Sequence, residues 1–111
     1  MEYPNDTAAA PVVHLTGEID LAQAPAVRER LDALIDEGWS SIVVDLLDTT
    51  FLDSVALGVL VGALKQCRDR GGTLHLVVTE PRILKVLEIT GLSDEFSVYP
   101  DLASVGDGFD R

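Results

Sequence analysis

Two polar residues, Asp53 and Ser54, interrupt the otherwise apolar stretch FLDSVALGVL, residues 51–60. A serine hydroxyl can act as a nucleophile, accept a phosphate or cap a helix, and its surroundings decide which. The apolar spacing after it places Ser54 at a helix N-cap, where its oxygen can accept a hydrogen bond from a free backbone N–H. A phosphate added there brings roughly −1.5 to −2 charges to a helix N-terminus, which the dipole and the free amides favour. Asp53, with Asp20, Asp45 and Asp48 expected near the same edge, makes such a phosphorylated surface strongly negative, so a partner shaped for the unmodified surface is repelled.

Catalysis fits the same residues poorly. A nucleophilic Ser54 would need His14 or His75 as its base, yet both histidines fall in strand patterns, and Leu52 and Ala56 stand where a hydrolase elbow has glycines. No catalytic residue is expected. Asp45, Asp48 and Asp53 raise a receiver-domain or metal-site reading, but no adjacent acidic pair follows the first strand and no lysine follows a later one. No metal or cofactor is expected, since ligands must converge on one point and spacing alone does not show that. Thr49 and Thr50 read as turn formers in a loop before the cap. Cys67 reads as a helix-face residue, with Lys65, Arg68 and Arg70 near enough to lower its pKa were it exposed.

Alternating strands and helices must position these groups. VVHLTGEI, residues 12–19, is rich in β-branched residues and breaks at Gly17. The following segment carries Pro25 in its first turn, Val27, Leu31, Leu34 and Ile35 at helical spacing, and Gly38 as a cap, with Trp39 covering its end. SIVVDLL, residues 41–47, is apolar at nearly every position, as a parallel strand covered on both faces should be. A helix over 54–70 follows, ending in Arg68, Arg70 and Gly71-Gly72. Its Gly58 and Gly62 share a face and suggest close backbone packing. TLHLVV is a third strand, PRILKVLEIT a helix closed by Gly91, FSVY a short strand, and Asp101 caps a last helical turn or two. Such alternation implies right-handed crossovers and a mainly parallel sheet. Residues 1–11 read as a poorly defined segment or short edge strand, and residues 107–111 as a tail.

At 111 residues, with 47% hydrophobic and 24% charged residues, the chain suits one domain with a core. The net charge of −11 argues against direct binding to nucleic acid or to anionic membranes, both of which need clustered Lys and Arg. One cysteine forms no internal disulfide, and MEYPNDTAAA lacks the basic and apolar regions of a signal peptide, so a cytoplasmic setting is expected. The most apolar segment, residues 55–64, is half the length of about 20 residues that a membrane-spanning helix requires, so no membrane insertion is expected.

FLDSVALGVLVG resembles the signature segment of STAS-domain anti-sigma factor antagonists, in which a strand runs through an Asp-Ser stretch into a helix. LTGEID (residues 15–20), GGTLHLVV and LEITGLSDEF (residues 87–96) resemble further segments of that family, in the same order. The similarity runs from about Val12 to Val105. It implies an α/β, STAS-type single domain over residues 12–106, with a mainly parallel sheet of four to five strands and about four helices. It also implies a switch that is no enzyme. The unphosphorylated protein binds an ATP-binding anti-sigma serine kinase and frees a sigma factor, the kinase phosphorylates the serine after the aspartate, and a serine phosphatase resets it. By position Ser54 is the phosphoacceptor, with Asp20, Asp53, Val55 and Ala56 beside it at the partner surface. Val55 and Ala56 depart from the family pattern, which usually continues Asp-Ser with Ser or Thr and then Gly. The alternative within the same fold is a constitutive adaptor in a transport or signalling complex, with Ser54 merely a cap. A short or missing first edge strand would leave an edge for self-association.

Overall fold

The apolar run after Gly38 forms the central strand of the sheet because both of its faces are covered. The computed structural model describes residues 10–109, and within them four strands alternate with four helices. The strands are β1 (Val12–Ile19), β2 (Ile42–Leu52), β3 (Leu74–Val77) and β4 (Ser97–Tyr99). The helices are α1 (Ala24–Asp36), α2 (Ser54–Asp69), α3 (Pro81–Ile89) and α4 (Leu102–Phe109), with a short 3-10 turn at Leu92–Asp94. All strand pairings are parallel, in the order β1-β2-β3-β4. The expected edge strand before Pro11 lies mostly outside the described residues.

Sequential order and parallel pairing together decide where the helices go. Each right-handed crossover steps in the same direction, so α1, α2 and α3 must all land on one face of the sheet. Their apolar stripes, including Leu31 and Ile35, Leu60 and Leu64, and Ile83 and Leu87, pack with Val44, Leu46, Leu74 and Leu76 in one core. The opposite face carries a smaller cluster, in which Val105 of α4 meets Val43 and Val77. Among the described residues that cluster includes no β1 side chain, and His14, Thr16 and Glu18 are exposed on this open face.

Several local features differ from the sequence reading. β1 does not break at Gly17: it continues to Ile19, with Gly17 at φ +78°. β2 runs on to Leu52, well past Leu47, and it does so through two irregularities. From His14 to Thr16 the partner residues advance from Asp45 to Asp48, and from Gly17 to Glu18 they advance from Thr49 to Phe51. β2 therefore carries an extra residue at each β-bulge, which bends it and re-aims the side chains beyond. Thr49 and Thr50 are strand residues rather than turn formers, and the buried Thr49 donates its hydroxyl to the Leu15 carbonyl at 2.8 Å.

Gly58 and Gly62 do not serve close packing, since a Cβ at either would meet nothing within 4 Å. The close approach is at Gly72, whose Cβ would lie 1.8 Å from the Ser40 carbonyl oxygen. Trp39 is buried in the main core beyond the C-terminus of α1. Cys67 is fully buried and burial pushes its thiol pKa up, against a smaller lowering by Arg70. α4 spans 8 residues, about two turns as expected, and runs into the expected tail. It starts as expected, with Asp101 Oδ1 accepting from the Ser104 amide at 2.8 Å, which lowers the Asp101 pKa.

Candidate functional site

The ends of β1 and β2 meet at one corner because their last residues, Ile19 and Leu52, are register partners. The Asp53 amide donates to the Ile19 carbonyl at 3.1 Å, which ties the exit of β2 to the exit of β1. Asp20 and Asp53, each one residue beyond a paired position, are thus brought side by side. Asp20 is held there by its own turn: its Oδ1 accepts from the Ala22 amide at 2.9 Å, and its amide donates to Gln23 Oε1 at 3.1 Å.

The cap of α2 is Asp53, not Ser54. Asp53 has extended backbone geometry and its Oδ1 accepts from the Ala56 amide at 2.8 Å, while its carbonyl accepts from Leu57 at 2.9 Å. A carboxylate outperforms a hydroxyl here because it adds a favourable charge at the positive end of the helix dipole. Ser54 is displaced to the first helical position and is exposed. The amides of Ser54 and Val55 have no acceptor inside the helix, so they remain available to an anion at the serine.

Of the two residues that follow, only Val55 faces outward. Ala56 is 2% exposed and packs in the main core, in ordinary helical backbone. The expected direct contact between Ala56 and a partner gives way to support from beneath: its methyl faces the core, not the approach to Ser54.

Asp45 and Asp48 are not part of this corner. Asp45 is level with His14, and Ile19 lies five residues further along β1, roughly 16 Å away at about 3.3 Å per residue. Asp45 is buried, accepting from the Leu47 amide at 3.0 Å across the first bulge and from His14 Nδ1 at 2.9 Å. Asp48 meets His14 Nε2 at 3.1 Å. The two carboxylates hold the His14 pKa above its ordinary value, mainly through the Asp45 hydrogen bond. His75 is buried in β3, stacked at a tilt on Tyr99 with ring centroids 5.7 Å apart, and burial lowers its pKa. Its register partner on β2 is Val43, so neither histidine reaches Ser54.

Among the described residues no three His, Cys, Asp or Glu side chains are grouped to hold a metal ion, and no helix is long and apolar enough to cross a membrane. Among the described residues the sheet order does not reverse, so the four strands form no switch point of the kind at which open α/β sheets place a ligand crevice. At the corner where β1 and β2 end, Asp20 and Asp53 flank the exposed Ser54 in a small α/β domain.

The chain belongs to the STAS domain family, whose model matches residues 3–105. It is 39% identical over 82 residues to an anti-sigma-B factor antagonist of Bacillus subtilis (strain 168), covering 74% of each chain. It is likewise 39% identical over 82 residues to an anti-sigma-B factor antagonist of Listeria monocytogenes, covering 74% of this chain and 72% of that one. A solved anti-sigma factor antagonist from Mycobacterium paratuberculosis superposes with a TM-score of 0.81 at 29% identity, covering 90% of this chain and 85% of that one.

One structural feature escapes sequence reasoning altogether: a groove between the end of β2 and α3, about 170 Å³ in volume. Its lining residues come from three separate elements, and the only local signal is that Phe51 is aromatic where Asp-Ser follows.

Proposed function

We propose that this chain is an anti-sigma factor antagonist, without enzymatic activity, that binds an anti-sigma serine kinase through the Asp20–Asp53–Ser54 corner and is released when Ser54 is phosphorylated. The names of its relatives support the antagonist role. The observation that carries the switch is the placement of Ser54, outward-facing at the first position of α2, directly after a carboxylate that already caps the helix.

Because Asp53 does the capping, the Ser54 hydroxyl can be modified without taking a hydrogen bond from the helix. A phosphate there is attracted by the helix N-terminus and repelled by Asp20 and Asp53. A dianion roughly 6 Å from a carboxylate is repelled by about 1 kcal/mol in water and several-fold more where a closing interface excludes solvent. The free protein therefore tolerates phosphate far better than a complex with the same surface buried. The setting is the cytoplasm, where a serine phosphatase resets the switch.

The test is intact-mass and fragment mapping of the protein after incubation with its kinase and ATP. A single phosphate on Ser54, and loss of kinase binding by Ser54→Asp, is the expected result. Phosphate elsewhere, or none with full binding retained, rejects the switch in favour of a constitutive adaptor.

A further inference from the structure

Both ring nitrogens of His14 meet carboxylates of β2. Nδ1 lies 2.9 Å from Asp45 Oδ2, and Nε2 lies 3.1 Å from Asp48 Oδ2. Only the doubly protonated ring donates to both, since a neutral imidazole has one N–H and one bare lone pair. The other oxygen of Asp45 accepts from the Leu47 amide at 3.0 Å, inside the first bulge. A single cation on β1 thus spans the bulge, with Asp45 before the break in register and Asp48 after it.

Loss of the proton breaks this span at one end. Asp45 is buried and keeps Nδ1–H as its partner, while Asp48 is 68% exposed and can turn to water. A bare Nε2 then faces a carboxylate with which it shares no proton. The Asp45 hydrogen bond above all, helped by the charges of both carboxylates, raises the His14 pKa from 6.5 against a lowering by desolvation, which moves this event toward neutral pH. The other groups around the ring are few. Arg30 of α1 donates to the His14 backbone carbonyl at 3.4 Å, Glu18 stands four residues along the same face of β1, and the residue opposite Asp45 on β3 is the apolar Val77. α4 packs on β3 and β4.

The span matters because the stretch of β2 beyond it is held by one neighbour. β3 ends at Val77, the register partner of Asp45, so among the described residues the continuation of β2 to Leu52 has a strand beside it only at β1. That ladder is itself broken twice. At its far end Ile19 pairs with Leu52, and the Ile19 carbonyl accepts from the Asp53 amide. A shift of β2 along β1 therefore moves Asp53 and Ser54 relative to Asp20.

We infer that His14, Asp45 and Asp48 form a proton-operated clamp on the serine corner, closed when His14 is charged and released when it is neutral. A corner already held in place loses less freedom on binding, so the closed form binds the anti-sigma kinase more tightly. This regulatory role rests on the proposed antagonist role.

The test is amide hydrogen exchange followed by NMR on the full chain between about pH 6 and 8, with rates corrected for the intrinsic effect of pH. In the wild type, protection of the Leu47 amide should fall about two- to fivefold over that range, and protection of the Asp53 amide should fall in the same direction by less. His14→Gln, at a half-exposed side chain, should remove this dependence at both amides, because glutamine has no proton to lose. Asp48→Asn should weaken it too, since its amide can donate to a bare Nε2 and keep the span. His75 is present in all three proteins, so its titration cancels in the comparison. Equal pH dependence in the wild type and His14→Gln overturns the clamp. A response at Leu47 with none at Asp53 confines it to the bulge and overturns its reach to the corner. Titration with the ADP-bound kinase checks the regulatory role: the ratio of wild-type to His14→Gln affinity should fall about twofold or more over the same range. A constant ratio, with exchange responding, overturns that role. If the wild type binds no kinase at any pH, the antagonist reading falls, and the clamp is decided by exchange alone.

Discussion

The two halves of β2 do opposite things with similar residues. From Ile42 to Asp45 the strand is in regular register with β3, and through Leu46 it is buried, so that even its aspartate is under cover. From Leu47 to Leu52 it is bulged, lacks β3 as a neighbour and turns Leu47, Thr50 and Phe51 to solvent. A regular half holds the sheet together, and an irregular half presents a surface. The same strand can do both because each bulge costs only a local ladder position while the paired half stays untouched.

The largest effect that would sharpen this contrast is a truncation in each half. Leu46→Ala removes a fully buried side chain and is expected to destabilise the fold by about 2–5 kcal/mol. Phe51→Ala takes away a larger side chain from the surface and is expected to cost under about 1 kcal/mol. Urea unfolding of both proteins checks it. Equal losses would mean that the second half is as structural as the first.

Next comes the aspartate at the corner. Asp53→Ala is expected to cost about 0.5–2 kcal/mol through loss of the helix cap. Asp53→Asn keeps an acceptor for the Ala56 amide, so it should recover much of that stability while still weakening kinase binding. Comparing unfolding with titration for the two variants separates the cap from the charge. If Asp53→Asn binds as the wild type does, Asp53 is a cap alone.

The first half was open to reading from pattern, and the second was not, for a physical reason. A run such as SIVVDLL is apolar on both faces because both faces are covered, and the alternation with helices leaves few topologies. Ser54 could be placed at the start of a helix from the apolar spacing of Val55, Val59 and Leu60. Which of two adjacent residues caps that helix depends on one hydrogen bond, Asp53 Oδ1 to the Ala56 amide, and both residue types are good caps. Bulges leave still less trace, since they arise where two strands disagree in length between fixed points. His14 and Asp45 are 31 positions apart in the chain, and only pairing reveals that the histidine and two aspartates form one cluster at the first bulge.

That cluster supplies a smaller, pH-dependent prediction. His14 has its folded pKa raised above the ordinary value of 6.5 by Asp45 and Asp48. Its contribution to stability is fully present below the unfolded value and is lost as pH rises through the raised folded value. Thermal midpoints of the wild type, relative to His14→Gln, should therefore fall as pH is raised upward from about 6.5. A difference between the two proteins that is flat in pH, or that grows with pH, would show that the charged histidine does not clamp the bulge. The side chain is on the open face of the sheet, so the effect should be screened by salt.

The smallest effect on stability is expected at Ser54 itself, and this is where the contrast between the halves is most exposed to failure. Were Ser54 the cap, its loss would cost about 1 kcal/mol. With Asp53 in that role, Ser54→Ala should shift stability by no more than about 0.5 kcal/mol, as for an exposed helical position. The same change should abolish phosphorylation outright and leave binding to the kinase intact, since no charge is added. A structural residue cannot show that combination, because what it contributes to folding disappears with it. Denaturant unfolding set beside the phosphorylation assay decides the matter: a stability loss of a full cap would return Ser54 to the scaffold, whereas its absence leaves the hydroxyl free to be modified without disturbing the helix that carries it.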